Sequence, residues 1–202
     1  MTKIILDLCG GTGAWSRPYK EAGYDVRLIT LPENDIRDYI PPENVYGILA
    51  APPCTEFSIA KDHKLERSLL SGMQVVLACF DIIRKAQPKF WAIENPVGYL
   101  SNFIGKPKYV FHPWWFGDPW TKRTALWGTF KNPSQTYFKW GDVQQIPDLY
   151  IRPGREKPGI AFLHKSAINL IPQLHGFTAK TDAEFRSITP PGFSEAFFKA
   201  NQ

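Results

Sequence analysis

Short apolar runs separated by turn-forming residues mark the first two thirds of the chain. They are four to six residues long and rich in Val, Ile, Leu and aromatic side chains. Runs of this kind are typical of strands buried in a sheet. They predict strands over residues 3–8, 26–30, 46–50 and 90–94, with two further candidates over residues 109–112 and 124–127.

Apolar residues recur at helical spacing before the fourth predicted strand, at Leu69, Met73, Val76, Leu77, Phe80 and Ile83. This period predicts an amphipathic helix over residues 69–85, with Cys79 beside its apolar face as a core residue. Shorter helices are predicted over residues 14–22 and within residues 190–201. The alternation of strands and helices predicts an α/β fold with a mostly parallel sheet and helices on both faces. Ligands of such folds bind at the carboxyl ends of the strands.

Composition narrows the class of protein further. The net charge of +5 favours a polyanionic partner. The basic residues of the last third of the chain are candidates for contact with its phosphates, namely Arg152, Arg155, Lys157 and Lys165. Three cysteines and four scattered histidines fit neither a disulfide scaffold nor a zinc site, so we expect no metal and a reducing, cytoplasmic location. We expect neither a signal peptide nor a membrane span, because no apolar run reaches the roughly 18 residues that a membrane helix needs.

A glycine-rich turn follows the first predicted strand, with the sequence Asp7-Leu-Cys-Gly-Gly-Thr-Gly-Ala-Trp-Ser16. Glycines in this position let the backbone approach a ligand closely. The turn is not a P-loop, since no Gly-Lys-Ser/Thr follows, and Ser16 stands where a dinucleotide fingerprint has its third glycine. An acidic residue followed by Gly-x-Gly suits a cofactor with an amino-acid moiety, and the alternative is a plain strand-to-helix turn.

Two reactive side chains end the next two inner strands. Cys54 follows Pro52-Pro53 after one apolar run, and Glu94 ends another. Alternatively, Cys54 is an inert buried thiol and Glu94 only caps a structural element. A carboxylate ending an inner strand is costly unless it is paired, which favours a functional site. Residues 55–68, which include Lys61, His63 and Arg67, are expected to form a polar loop able to close over a substrate.

These motifs together resemble those of the DNA cytosine-5 methyltransferases, in particular small phage-type members. Residues 7–15 are similar to the family's Asp-Leu-Phe-x-Gly-x-Gly-Gly-Phe motif, with Cys9 and Trp15 in place of its phenylalanines. Pro52-Pro53-Cys54 is similar to its catalytic motif, and residues 88–96 resemble its Glu-Asn-Val segment, with proline replacing valine. Residues 117–124 resemble its Gly-Val-Pro-Gln-x-Arg-x-Arg segment, and residues 188–198 its C-terminal helix.

The resemblance implies a class I, Rossmann-like fold that uses S-adenosylmethionine (SAM) to methylate C5 of cytosine in DNA. Cys54 would add to C6 of the base, Glu94 would bond N3 and the exocyclic amine, and Arg123 with Lys122 would hold O2. The cofactor would be bound by Asp7, Gly11, Thr12, Gly13, Trp15, Asp35, Ile36 and Pro52. Residues 1–129 would form the catalytic domain, residues 130–186 a reduced target-recognition region, and residues 187–202 a segment returning to the catalytic domain.

Several alternatives stay open at the level of sequence. The ribose could be held by Glu33 or Asp35, and the register of the Lys122-Arg123 pair is ambiguous by one residue. The short region 130–189 leaves the target sequence undetermined. It also permits a pyrimidine-C5 modifier of single strands or free nucleotides. A non-catalytic SAM- or DNA-binding accessory protein is the alternative from another class, and the oligomeric state is undetermined.

Overall fold

The computed structural model describes residues 2–61 and 64–202. Six strands form one sheet: β1 (Ile4–Leu8), β2 (Asp25–Ile29), β3 (Val45–Ala50), β4 (Phe90–Pro96), β5 (Tyr109–Phe111) and β6 (Thr124–Thr129). The α-helices are α1 (Arg17–Glu21), α2 (Leu69–Ala86), α3 (Ser101–Ile104), α4 (Asp182–Ser187) and α5 (Pro191–Ala200). The remaining helical turns are short 3₁₀ segments, among them Pro113–Phe116 before β6.

The strand order is β2-β1-β3-β4-β6-β5, and the four strands on the β2 side are mutually parallel. β6 runs antiparallel to both β4 and β5. The first residues of β6 therefore lie at the same edge of the sheet as the last residues of β4, where Pro96 faces Thr124. This edge also receives the carboxyl ends of β1 and β3, so residues from four strands meet there.

Alternate residues of the strands face two separate helical layers. Ile5, Leu49 and Phe90 pack with Trp15 before α1 and with two phenylalanines of α5. The neighbouring strand residues, such as Leu6 and Ile48, pack instead on Cys79, Ile82 and Ile83 of α2. The α/β fold with a mostly parallel sheet and a helix layer on each face is therefore confirmed, and Cys79 is fully buried as expected.

Two boundaries differ from the sequence prediction for physical reasons. The helix predicted over residues 14–22 begins only at Arg17, because Gly13 has a φ of +70° and the preceding residues form turns. Pro18 lies in the first turn, where its missing N–H costs nothing. β4 extends to Pro96, since pairing with antiparallel β6 continues beyond Glu94. The short helices α3 and α4 were not predicted.

Residues 130–189, called the irregular region here, contain little regular structure, yet their apolar residues form a small core together with two residues from earlier in the chain. Its buried members are Ala14, Trp120, Leu149, Ile160, Leu163, Ala167, Ile171, Leu174, Phe185 and Ile188. Trp120 and Ala14 belong to the first part of the chain, so this core fixes the irregular region against the carboxyl edge of the sheet. The chain then returns to the sheet through α5. No helix among the described residues is long and apolar enough to cross a membrane.

Asp118 joins α5 to the segment before β6. Its carboxylate is fully buried and accepts hydrogen bonds from the backbone N–H groups of Gly192 (3.2 Å) and Phe193 (3.3 Å) in the first turn of the helix. A Cβ on Gly192 would lie 2.2 Å from the carbonyl oxygen of Phe116, so only glycine permits this contact. Burial raises the pKa of Asp118 to about 7, although the two N–H bonds lower it.

Asp118 is expected to make the protein less stable as the pH rises from about 4 to about 7. A carboxyl group whose pKa is higher in the folded state binds its proton more tightly there. Its contribution to the free energy of unfolding is therefore complete below pH 3.8, the unfolded pKa, and is lost by about pH 7, the folded pKa. The slope is of order 1 kcal/mol per pH unit. Asp118→Asn imitates the protonated carboxyl group and should reduce the fall in Tm between pH 5 and 7. An identical pH profile in the variant would contradict this assignment.

Candidate active site

The ends of β3 and β4 are tied together directly in front of Cys54. The side chain of Asn95 is fully buried in β4, and its Nδ2 donates a hydrogen bond to the carbonyl oxygen of Pro52 at 2.9 Å. The cysteine lies two residues beyond Pro52, and Glu94 immediately precedes Asn95. This bond therefore fixes the thiol-bearing segment beside the carboxylate, a role for Asn95 that no sequence motif indicated.

The backbone after Cys54 folds back into a tight turn. The carbonyl oxygen of Cys54 accepts hydrogen bonds from the N–H groups of Phe57 (2.9 Å) and Ser58 (2.8 Å). Phe57 is fully buried, and its carbonyl oxygen accepts a bond from Tyr99 at 2.8 Å. A Cβ on Gly98 would lie 2.3 Å from that same oxygen. The turn is thus anchored to the segment after β4, and it leaves Cys54 half-buried at the edge of the sheet.

Glu94 pairs with Lys122 across the β4–β6 contact. The Nζ of Lys122 lies 3.5 Å from Oε1 of Glu94, and each side chain is only 14% exposed. The same ammonium group donates to the carbonyl oxygen of Arg186 in α4 at 3.4 Å. Lys122 is therefore held between the strand carboxylate and the last part of the irregular region.

The thiol lies within electrostatic reach of this ion pair. Burial raises the pKa of Cys54, the positive charge of Lys122 lowers it, and the negative charge of Glu94 raises it again. The net direction is upward from 9.0, so the thiol is protonated at neutral pH in the free protein. Any change that removes the negative charge of Glu94 while keeping Lys122 charged would favour the thiolate.

Arg123 does not join this group. Its side chain is exposed, and the pKa of His112 is lowered first by burial and then by the charges of Arg123 and Lys157. Its backbone carbonyl accepts a bond from Val97 at 2.9 Å, which keeps the start of β6 next to the end of β4. Of the two basic residues that the sequence left as alternatives, Lys122 is the one that lies beside Cys54 and Glu94.

The glycine-rich turn is built around Asp7. Its carboxyl group is fully buried, and Oδ2 accepts a hydrogen bond of 2.5 Å from the hydroxyl of Ser16. A Cβ on Gly10 would lie 2.4 Å from the same carboxyl group. Burial raises the pKa of Asp7 to about 6, while the bonds from Ser16 lower it. Its other oxygen, Oδ1, is buried without a hydrogen-bond partner among the described residues.

The tip of this turn is open to solvent. Gly11 and Thr12 are exposed, and the φ angles of Gly11 and Gly13 are +52° and +70°. Cys9, with a φ of +55°, is the residue through which the chain leaves β1. Trp15 lies elsewhere: it is 1% exposed and packs against Phe193 and Phe197, so its ring belongs to the core between the turn and α5.

Asp35 lies near this turn, because its charge and that of Asp7 both act on the thiol of Cys9. Arg37 bonds both oxygens of the Asp35 carboxylate and thereby lowers its pKa to about 2. Ile36 is buried, with 5% exposure, in the cluster that covers β1 and β3. Glu33 is exposed.

Glu56 closes the base of the loop after Cys54, although no sequence motif marked it as a site residue. Its carboxylate accepts bonds from Nζ of Lys61 (2.8 Å) and from the N–H of Ser68 (2.7 Å), the residue before α2. Arg67 donates to the Glu56 carbonyl oxygen and stacks over Tyr99. The predicted loop residue His63 lies outside the described residues. The described part of the chain contains no group of three or more residues suited to bind a metal ion.

Comparison with known proteins finds likeness at the level of structure only. No protein-family model and no curated protein matches the sequence. One similar solved structure is described as a candidate DNA modification methyltransferase encoded within an E. coli prophage, with 16% identity and a TM-score of 0.45. Another is a triple mutant of DNMT2 from Spodoptera frugiperda, with 18% identity and a TM-score of 0.44. Each match covers 63% of this chain and about half of the other chain, 47% and 50% respectively.

Proposed function

We propose that this chain transfers a methyl group from SAM to C5 of cytosine in DNA through a covalent bond between Cys54 and the base. The observation that supports it most is the convergence of three groups at one edge of the sheet. A thiol, a carboxylate and an ammonium group lie within electrostatic reach of one another, and the ion pair between Glu94 and Lys122 is largely buried. Each group has a task in attack on an electron-poor pyrimidine ring.

Cys54 carries the covalent step. Its sulfur adds to C6 of the cytosine, and the electron pair of the C5–C6 double bond becomes available at C5. When bound, SAM would supply the electrophilic methyl group for C5 and would be left as S-adenosylhomocysteine. A base then removes the C5 proton, the electron pair of that C–H bond restores the double bond, and Cys54 leaves as a thiolate.

Glu94 and Lys122 stabilise the ring as the thiolate adds. The proton released by the Cys54 thiol passes to Glu94, which donates it in a hydrogen bond to N3, and the ammonium group of Lys122 beside Glu94 approaches O2. Protonation of Glu94 also removes the negative charge that raises the pKa of Cys54, while Lys122 continues to lower it. Binding of the cytosine therefore promotes formation of the Cys54 thiolate just before it attacks C6.

The glycine-rich turn suits SAM as the methyl donor. The orphaned Oδ1 of Asp7 is an acceptor left for the amino-acid part of the cofactor, and the positive φ angles of Gly11 and Gly13 bring bare backbone to the surface. Thr12 lies at the exposed tip, and Pro52 lies at the end of neighbouring β3. We assign the ribose to Asp35 and the adenine to Ile36. The buried Trp15 supports the turn from below.

Replacing Gly13 should weaken binding of SAM and of its demethylated product by at least tenfold. The residue has a φ of +70°, which a β-branched side chain adopts only with strain. Calorimetry on Gly13→Val measures the effect. Gly154→Val is the matched control, because Gly154 has a φ of +77° in an exposed loop of the irregular region. Equal affinity in both variants, or no binding of cofactor by the wild type at millimolar concentration, would end this proposal.

The reaction itself is tested by incubating the protein with DNA and SAM carrying a radioactive methyl group, followed by digestion to nucleosides. We expect the label in 5-methylcytosine. Label that is transferred only when free cytidine nucleotides replace the DNA in the incubation would favour the nucleotide modifier instead. Cofactor binding without any transfer would favour an accessory protein.

A further inference from the structure

A group of aromatic and basic side chains lies beside the candidate active site and has no part in the proposed chemistry. We call it the Trp–Lys surface: Trp114, Trp140, Lys157, His112 and Arg123. The Nζ of Lys157 lies 5.8 Å from the ring centroids of both tryptophans, whose planes meet at 89° with centroids 6.3 Å apart. Both indoles are half-buried, so each retains a solvent-accessible part.

The fold connects this surface directly to the site. The N–H and hydroxyl of Thr121 both donate to the carbonyl oxygen of Pro158, at 2.8 and 3.0 Å. In return, the carbonyl oxygen of Thr121 accepts a bond from Ile160 at 3.1 Å. Lys157 therefore belongs to a segment fixed against the residue that precedes Lys122. Arg123 follows Lys122 on the chain, so the Trp–Lys surface begins one residue from the proposed catalytic ammonium group.

The surface carries positive charge that acidic neighbours balance only weakly. Burial and then the charges of Arg123 and Lys157 lower the pKa of His112, and no acidic residue contributes in the opposite direction. Lys157 has one ion pair among the described residues, with Glu156 at 3.8 Å, and the Glu156 side chain is 90% exposed. Such a pair contributes little, so the ammonium group stays available to an anion. Arg123 has no ion pair in the part of the chain that the structure describes.

We propose that the Trp–Lys surface binds a single-stranded stretch of DNA next to the target cytosine. Arg123 and Lys157 contact its phosphates, and Trp114 and Trp140 stack on its bases. This inference rests on the proposed function, because the position of the surface matters only if the target base enters the neighbouring site. Cations interleaved with aromatic rings are typical of proteins that bind single strands. A second pair of this kind lies nearby in sequence, where Arg152 stacks 5.0 Å from the ring centroid of the exposed Phe162.

The secondary structure of the irregular region favours a single strand over a duplex. Proteins that read the major groove insert an α-helix or a two-stranded ribbon. Within residues 130–189, all of which the structure describes, the longest helix is α4, with six residues. A helix of six residues is about 9 Å long, and Phe185 of α4 is buried in the small core. An already unpaired substrate also avoids the few kcal/mol that extruding a base from a duplex costs.

The test compares binding of a fluorescently labelled, cytosine-containing single strand with binding of the same sequence as a duplex, by anisotropy over a range of salt concentrations. The wild type should bind the single strand more tightly. The slope of log K against log[salt] should be less steep by roughly 1.4 in the double variant Arg123→Gln/Lys157→Gln. Each phosphate contact on a single strand contributes about 0.7 to that slope. Trp114→Leu should weaken binding about tenfold, from the loss of one stacked base.

Lys89→Gln/Lys131→Gln is the matched control, because it removes the same charge from exposed residues at the opposite edge of the sheet. We expect it to keep the wild-type salt dependence. Tighter binding of the duplex, or an unchanged slope in the Arg123/Lys157 variant, would overturn the inference. Since Trp114→Leu also changes packing, its thermal stability is measured in parallel, and Trp140→Leu repeats the test at the second ring.

Cofactor binding and methyl transfer are measured on the same preparations. If the variants lose single-strand binding as expected but the wild type transfers no methyl group, the proposed methyl transfer is wrong and the single-strand-binding surface is supported. If the wild type methylates the single strand and the Arg123/Lys157 variant does so with an unchanged KM, the single-strand-binding surface is wrong and the proposed methyl transfer is supported.

Discussion

An oligonucleotide containing 5-fluorocytosine is expected to become covalently attached to Cys54 in the presence of SAM. After methyl transfer, the fluorine at C5 cannot be removed as a proton is, so the bond between sulfur and C6 persists. The adduct should survive denaturing electrophoresis and appear as a band of higher mass. In Cys54→Ser the band should be absent and turnover undetectable, because a hydroxyl group has a much higher pKa than a thiol and is a far weaker nucleophile at neutral pH.

Two further variants separate this mechanism from a nonspecific reaction of thiols. Cys9→Ser should still give the adduct, although Cys9 is the other half-buried cysteine and lies in the glycine-rich turn. Glu94→Gln should form it at least about 10²-fold more slowly and bind cofactor normally, because the carboxylate acts on the ring. An adduct that forms equally well without Cys54, or methyl transfer by Cys54→Ser, would refute the proposed mechanism.

The sheet could be predicted from the sequence because its inner strands are short apolar runs that face helices on both sides. Residues 46–50 illustrate this, since Ile48 packs on α2 while Leu49 packs on the opposite layer. The antiparallel direction of β6 could not be predicted, because an apolar run carries no information about direction. That direction is nevertheless what brings Lys122 to Glu94 and leaves Arg123 outside the group.

The residues that position the site were harder to find than those that carry the chemistry. Cys54 and Glu94 stand out because a thiol and a carboxylate at strand ends are unusual. Asn95 acts through one hydrogen bond to a backbone atom 43 residues away. Glu56 bonds a backbone N–H 12 residues away in addition to the side chain of Lys61. Such pairs leave no periodic pattern. A signal for Asn95 was available, since a buried amide at the end of an inner strand needs a partner.

The structure of the irregular region, residues 130–189, could not be predicted for a different reason. Its core depends on Trp120 and Ala14, which lie outside it, so its local sequence alone specifies no regular element. The basic residues Arg152 and Lys157 could be recognised as candidates for nucleic-acid contact. Their pairing with Phe162, Trp114 and Trp140 required the fold, because Trp114 lies 43 residues before Lys157.

Lys122 and Arg123 are adjacent in sequence, yet their substitution is expected to affect different steps. Lys122→Met should reduce kcat by about 10²-fold or more, with cofactor binding intact. The change leaves the largely buried carboxylate of Glu94 without its partner and removes the charge that lowers the pKa of Cys54. Arg123→Met should leave kcat nearly unchanged and raise KM for single-stranded DNA, because its exposed guanidinium lies on the Trp–Lys surface rather than beside the thiol.

The dependence of the reaction on pH distinguishes these two roles from a general loss of stability. In Lys122→Met, the rise of kcat with pH should move to higher pH, since the thiolate of Cys54 becomes harder to form without the neighbouring positive charge. Arg123→Met should keep the wild-type profile at saturating DNA. If the two substitutions reduced kcat equally and moved the profile alike, both residues would act on the reacting base. Lys122 would then have no role in the reaction distinct from that of Arg123.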